Sequence, residues 1–209
     1  MKQTESLKNV VYNSILNGII QDEYKPGQII NEKELTEKYK VSKSPVREAL
    51  ISLCNAGVLR NIPRYGYEVV RLTREDISDI LRFRFILEAG CLRESYQRVG
   101  PAQIDRLEEL NRLCCDCHSQ DDMWTHWKHN QNFHMQLISF ANNPYASKEL
   151  ARSMDILNRA YAQFYWDKWS STVISTDMKS HEKLLEALKN HDIELAVECL
   201  RMDLADFGY

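Results

Sequence analysis

The hydrophobic positions change their period along the chain, and each change predicts an element. Leu7, Val10, Val11, Ile15 and Ile19 recur at helical spacing, so a helix is expected over 6–20. Tyr24-Lys25-Pro26-Gly27 reads as a turn, and a very short strand is expected at 28–30. Asn31 with Glu34 three residues later approximates a capping box and opens a second helix to about residue 39. After the turn 40–43, Ser44 is the expected N-cap of a third helix, with Pro45 at its first position, where a missing N–H costs nothing. Val46, Ala49, Leu50 and Leu53 make its apolar face, and Gly57 suits the left-handed residue that ends it. Two β-like runs, 58–62 and 67–71, follow around Pro63-Arg64-Tyr65-Gly66.

Helix, helix, turn, helix, hairpin is the order of a winged helix-turn-helix. From Thr73 onward the pattern is almost wholly helical. Helices are expected over 73–99, 101–118, 121–142, 145–166, 176–190 and 193–207, with Ser170-Ser171-Thr172 marking a loop before the fifth. Six antiparallel helices make a bundle. The fold class is therefore mainly α: a winged helix-turn-helix domain at 1–71 followed by an all-helical six-helix bundle at 72–209.

Polar residues caught inside the apolar stripes carry the candidate chemistry. Arg84 and Glu88 interrupt the stripe of Ile77, Ile80, Leu81, Leu87 and Cys91. Asn130 and His134 interrupt that of Met123, Trp127, Leu137, Ile138 and Ala141. His181 lies among Met178, Leu184, Leu185 and Leu188, and Asp203 among Ala196, Leu200 and Phe207. Burying such groups unpaired is costly, so helices sharing one core require them to satisfy each other, a metal or a ligand. Asn130 and His134 lie one turn apart on one face, as two metal ligands on a helix do.

Charge sharpens the division. Residues 1–72 carry 11 Lys and Arg against 8 Asp and Glu, while the whole chain nets −3, so a basic first part precedes an acidic body. A polyanionic partner for the first part fits this asymmetry. No apolar run approaches the ~18 residues of a membrane span, and the start MKQTESLKNV lacks the apolar core of a signal peptide. A cytoplasmic location is expected, and the six cysteines are expected as free thiols. The cluster Leu113-Cys114-Cys115-Asp116-Cys117-His118 fits no zinc-ribbon spacing and is expected to hold surface cysteines. His126 is expected to face solvent, with a place as an alternate metal ligand as the other reading.

The third helix has an apolar back and a basic tip at Lys43 and Arg47, a combination that can enter the DNA major groove. The segment PGQIINEKELTEKYKVSKSPVREALISLCNAGVLRNIPRYGYEV resembles the DNA-binding domain of the GntR family of bacterial transcription regulators. Its matching features are an extended PG start, an EL pair, a V-S-x-x-P-V-R-E-A-L core, a G-L-like pair and a wing glycine. The resemblance implies DNA contacts by Lys33, Lys43, Ser44 and Arg47, and by the wing tip Arg64, Tyr65 and Gly66. Lys33 and Lys43 stand where Arg is common in the family, which shifts them toward phosphate contact, because Lys lacks the bidentate fork.

The helical half resembles the effector domain of the FadR-type subfamily, the FCD domain. Phe133-His134 with Asn130 matches one ligand motif, and His181 to Leu188 matches the later H-x-x-x-L-x-A-L motif. Asp203 falls on the final ligand position, and Arg84 with Glu88 matches an R-x-x-x-E pattern. The resemblance implies a divalent metal, zinc, nickel or manganese, held by Asn130, His134, His181 and Asp203, and a small carboxylate effector near Arg84 and Glu88. Asn130 replaces an Asp and Asp203 a His, but two imidazoles and a carboxylate remain a competent zinc set. No organic cofactor is expected. The expectation is a homodimeric one-component transcription regulator that binds operator DNA, a repressor relieved by its effector, and not an enzyme. Two alternatives stand beside it: a metal-dependent hydrolase built on His134, His181 and Asp203, and a degenerate interaction module without effector binding.

Overall fold

The computed structural model describes residues 6–115, 123–165 and 171–205. Its residues cluster into two compact units.

In the first unit, α1 (Leu7–Ile20) starts at Ser6, whose Oγ accepts from the Asn9 amide at 3.3 Å. β1 (Ile29–Ile30) leads into α2 (Glu32–Tyr39), and Lys40 in the left-handed region (φ 53°) turns the chain toward α3 (Lys43–Asn55). β2 (Leu59–Ile62) and β3 (Gly66–Val69) form the hairpin, and β3 also pairs with β1, so the antiparallel sheet runs β1-β3-β2. Tyr67 is opposite both Ile30 and Asn61. Val11, Ile15, Leu35, Val46, Leu50 and Leu53 are buried together beneath this sheet and its helices. They are the apolar stripes of α1 and α3 meeting Leu35 of α2 in one core, and that shared burial is what holds short helices that would not be stable alone.

Gly66 is required by this arrangement. Its φ is 133°, and a Cβ there would lie 2.6 Å from the Ile30 carbonyl oxygen across the β1–β3 pairing. The wing can therefore fold back onto β1 only through a residue without a side chain.

The start of α3 differs from the expectation. Ser42 is the N-cap and Ser44 lies inside the first turn, its Oγ donating to Glu48 Oε1 at 2.9 Å. Pro45 is then the third helical residue. Its missing N–H still falls among the first turn's unpaired donors, so the helix tolerates it two positions further in.

The second unit holds α4 (Arg74–Ser95), closed by a 3-10 turn at Tyr96–Arg98, then α5 (Pro101–Cys115), α6 (Met123–Ser139), α7 (Pro144–Tyr165), α8 (Ser171–Lys189) and α9 (Ile193–Ala205). The C-terminal end of α7, from Arg159 on, clusters with the first unit instead. There Gln163 accepts from the Leu72 amide at 3.0 Å and donates to the Leu72 carbonyl at 2.6 Å. Asn143 caps α7 through Ala146, Asp192 caps α9 through Leu195, and His191 in the left-handed region (φ 55°) ends α8. α8 begins at Ser171, five residues before the expected start at 176, so the Ser-Ser-Thr signal does not mark a loop through Thr172. Ser and Thr have weak helix propensity, and the surrounding helix overrides it. Leu92, Leu107, Phe133, Leu184 and Leu200 bring α4, α5, α6, α8 and α9 into one core.

Candidate functional site

Two sites emerge, one in each unit. The first is the exposed basic tip of α3 with its neighbours. Arg47 projects from the second turn of α3 with 62% of its side chain exposed. Its Nε donates to Glu32 Oε1 and its Nη2 to Glu32 Oε2, both at 3.0 Å. Tyr67 Oη donates to the same Glu32 Oε1 at 3.2 Å. The hydrogen bond and charge of Arg47 hold the Glu32 carboxyl below its usual range against the opposing effect of burial. Lys33 stands 85% exposed on α2, loosely facing Glu37 at 4.0 Å, and Lys43 is exposed at the first residue of α3. At the hairpin tip, Arg64 adopts a left-handed backbone (φ 72°) and Tyr65 is 71% exposed. The expected contact residues therefore lie within one unit, on α2, α3 and the wing. Glu32 and Tyr67 were not expected in it. Glu32 and Arg47 are 15 residues apart, and no periodicity connects them.

The second site is buried among the helices. Arg84 and Glu88 lie one turn apart on α4, with Arg84 Nε donating to Glu88 Oε1 at 2.8 Å. His134 on α6 donates from Nδ1 to Glu88 Oε2 at 2.7 Å. A carboxylate only accepts, so the proton on His134 Nδ1 is fixed by its partner. His181 on α8 donates from Nδ1 to Asn111 Oδ1 of α5 at 3.0 Å, by the same reasoning. Both histidines thus turn Nε2 toward Asp203 of α9. His134 Nε2 is 3.2 Å from Asp203 Oδ2, and His181 Nε2 is 3.6 Å from Oδ1. The two Nε2 atoms are 3.5 Å apart. The His181 ring stacks on Phe133, with centroids 3.8 Å apart, which fixes its plane.

These distances fit a metal. Two nitrogens at ~2.0–2.1 Å from a tetrahedral zinc stand about 3.3 Å apart, close to each spacing here. Glu88 and Asn111 orient the imidazoles from behind, as partners of metal-bound histidines do. Asn130 is half-buried on α6, one turn before His134. Glu88 spends one oxygen on Arg84 and the other on His134, whereas Arg84 Nη2 is buried without a partner.

The charge states follow the surroundings. Burial works against charging His134, but the Glu88 and Asp203 carboxylates together outweigh it and push its pKa up to about 9. Burial depresses His181 to about 4, and the attraction of Asp203 does not offset it. Burial also opposes ionisation of Asp203, yet the neighbouring histidines hold its carboxyl below the usual range.

Asn111 was legible in retrospect. It continues the spacing of Ile104 and Leu107 toward Cys114, so it was a further polar residue on an apolar stripe. His126 is fully buried, its Nδ1 lying 3.3 Å from the Cys114 carbonyl oxygen, so the expected solvent exposure does not hold. Cys114 is likewise buried and not a surface cysteine. Cys114 lies on α5 and His126 on α6, and these two helices pack against each other. Asp116, Cys117 and His118 lie outside the described residues, as do Trp166, Trp169 and Phe207.

Comparison with known proteins agrees with both halves. Residues 7–69 match the family described as bacterial regulatory proteins, gntR family, and residues 79–206 match the FCD domain. The Nta operon transcriptional regulator of Aminobacter aminovorans is 28% identical over 182 residues, covering 87% of this chain and 82% of that protein. The HTH-type transcriptional repressor GlaR of Escherichia coli (strain K12) is 25% identical over 202 residues, covering 92% and 90%. The solved structure of E. coli McbR/YncC superposes with a TM-score of 0.76 at 23% identity, covering 97% of this chain and 95% of that one. The hydrolase alternative finds no support among these relatives. With an FCD domain over more than half its length and a gntR domain before it, the chain belongs to the gntR family, as a DNA-binding transcription regulator and not an enzyme.

Proposed function

We propose that the protein is a homodimeric repressor that binds operator DNA through Lys33, Lys43, Ser44, Arg47 and the wing tip Arg64–Tyr65–Gly66, and that a small carboxylate releases it. In this reading the division of labour follows the chain, with DNA binding in 1–71 and effector binding and dimerisation in 72–209. A divalent metal on His134, His181 and Asp203, with Asn130 as fourth candidate ligand, forms the floor of the effector site. Such an ion supplies a Lewis-acidic position that an effector oxygen can occupy.

The observation that carries this reading is the unpartnered Arg84 Nη2, 96% buried by residue and acting electrostatically on both His134 and Asp203. A buried guanidinium N–H without an acceptor is costly, and a carboxylate satisfies it with a charge-assisted hydrogen bond. Glu88 then serves indirectly, holding Arg84 from one side and His134 from the other.

Two-fold symmetry is supported by α4. Phe83 and Ile86 are exposed at 44% and 66%, and Gly90 on the same helix presents open space. An exposed apolar stripe with a small residue fits a second copy of the same helix, and a dimer matches the two half-sites of a palindromic operator.

The test is a thermal-shift series of small mono- and dicarboxylates against zinc-loaded and chelated protein, followed by operator-release assays. Carboxylates are expected to raise the melting temperature of the zinc-loaded protein only, and Arg84→Met to abolish that rise while zinc still binds. Equal rises with and without zinc would refute the metal's part, and a rise surviving Arg84→Met would refute the role of Arg84.

A further inference from the structure

Lys33 is exposed and only loosely faces Glu37 at 4.0 Å, but Arg47 is held firmly. Its guanidinium is gripped along one edge by both oxygens of Glu32, and Glu32 is itself held by Tyr67 from the hairpin. We propose that Glu32 is a specificity-determining positioning residue, which clamps the plane of Arg47 so that its free edge can read a guanine. The inference rests on the reading that Arg47 contacts bases.

The donor inventory supports the clamp. A guanidinium has five N–H donors in a rigid plane. The Nε–H and one Nη2–H go to Glu32, which leaves the Nη1–Nη2 edge at the tip of the group with one N–H from each nitrogen, and a further Nη1–H beside it. That edge has the spacing of the O6 and N7 acceptors of guanine, the commonest bidentate contact in the major groove. An unheld arginine would lose rotamer freedom on binding, and it could swing to a phosphate at little cost. A clamped one has lost that freedom already, in the folded protein.

The position of Glu32 makes the clamp stiff. It is the first residue of α2, where a carboxylate is favoured by the helix dipole, and its side chain is 23% exposed. Tyr67 is 8% exposed on β3 and cannot follow a moving carboxylate. Three elements (the start of α2, the second turn of α3 and the central strand) thus meet at a single carboxylate. Placing a negative charge at a surface that meets phosphates weakens binding to any DNA. A residue that lowers affinity for all sequences while aiming the one arginine raises the ratio between right and wrong sequences.

The experiment begins with a duplex selected by the wild-type protein from a random pool. Affinities are then measured for that duplex, for each of its single-base-pair variants and for poly(dI-dC), at several salt concentrations. Glu32→Gln keeps the size of the side chain and loses the charge. It is expected to bind poly(dI-dC) more tightly and to cut discrimination at the guanine read by Arg47 about tenfold, with discrimination elsewhere unchanged. Tyr67→Phe is expected to move the same ratio in the same direction by less, and it carries the test if Glu32→Gln does not fold. In an Arg47→Lys background, Glu32→Gln should leave the ratio unmoved, because there is no fork left to aim. Equal tightening on all duplexes, with every ratio preserved, would make Glu32 a charge brake and overturn the proposal. Arg47→Ala separates the two layers. If it keeps the discrimination, the contact itself is misassigned. If it loses the discrimination and Glu32→Gln does not, only the clamp is refuted.

Discussion

His134 and His181 stand 3.5 Å apart and are pushed in opposite directions, up to about 9 and down to about 4. The difference lies in their second partners: Glu88 is a carboxylate and Asn111 a neutral amide. From an ordinary value of 6.5, the folded protein holds on His134 a proton that the unfolded chain releases. That stabilisation is complete below pH 6.5 and is lost as pH rises through about 9. His181 stays neutral in the fold, so its share is present above pH 6.5 and is lost as pH falls toward about 4. Chelated protein should therefore melt highest near neutral pH and lose stability on both flanks, as a denaturant series across pH will show. Metal must displace the His134 proton, so zinc affinity measured by competition should rise about tenfold per pH unit up to about pH 9. The Arg84–Glu88 pair obeys a related rule. Glu88→Leu alone leaves a buried guanidinium unpaired and should cost about 3–5 kcal/mol of unfolding free energy. Adding Arg84→Met should recover only the share due to the unpaired guanidinium in the same denaturant titration, because His134 Nδ1 still lacks the acceptor that Glu88 supplied.

At the scale of elements, the wing depends on one atom that is not there. Gly66→Ala adds a Cβ 2.6 Å from the Ile30 carbonyl oxygen at a φ of 133°. It should destabilise the first unit by at least about 1 kcal/mol, and it should weaken operator binding with little change in helical circular dichroism, since only the β1–β3 pairing must yield. Lys33 on α2 is expected to behave unlike Arg47. It is exposed and held only by Glu37 at 4.0 Å, so Lys33→Ala should weaken binding evenly across sequences. Its signature is a salt slope shallower by about one, read from affinities at several salt concentrations.

At the scale of the whole molecule, the proposed dimer predicts that recognition of a palindromic operator needs two copies. Phe83→Glu with Ile86→Glu places charges on the exposed stripe of α4, at positions that pack against nothing within the chain's buried core. Sedimentation should show the variant as a monomer with an unchanged melting profile, and its affinity for a palindromic duplex should fall to that for a half-site. A dimer that persists would place the two-fold elsewhere. Among the described residues, no helix is long and apolar enough to cross a membrane.

Much of this was written in the period of the apolar residues. The stripes of α1 and α3, the capping pattern before α2 and the turn residues around Gly66 set out the winged arrangement, because local burial and local turns leave a local pattern. The polar intruders Arg84, Glu88, His134, His181 and Asp203 were legible for the same reason: an apolar stripe makes a polar residue conspicuous. Helix starts were read less well. Ser42 and Ser44 are equivalent in composition, and only the path of the chain after Lys40 selects the cap. Which intruders meet was beyond the pattern, since convergence depends on how α4, α5, α6, α8 and α9 pack. The same limit hid Asn111 behind His181, and the burial of His126. It also hid the grip of Glu32 on Arg47, 15 residues away on a second helix, and on Tyr67, 35 residues away on a strand. Periodicity records which side of an element is covered. Only the packed structure decides what covers it, and therefore which protons, ions and base edges its side chains are free to bind.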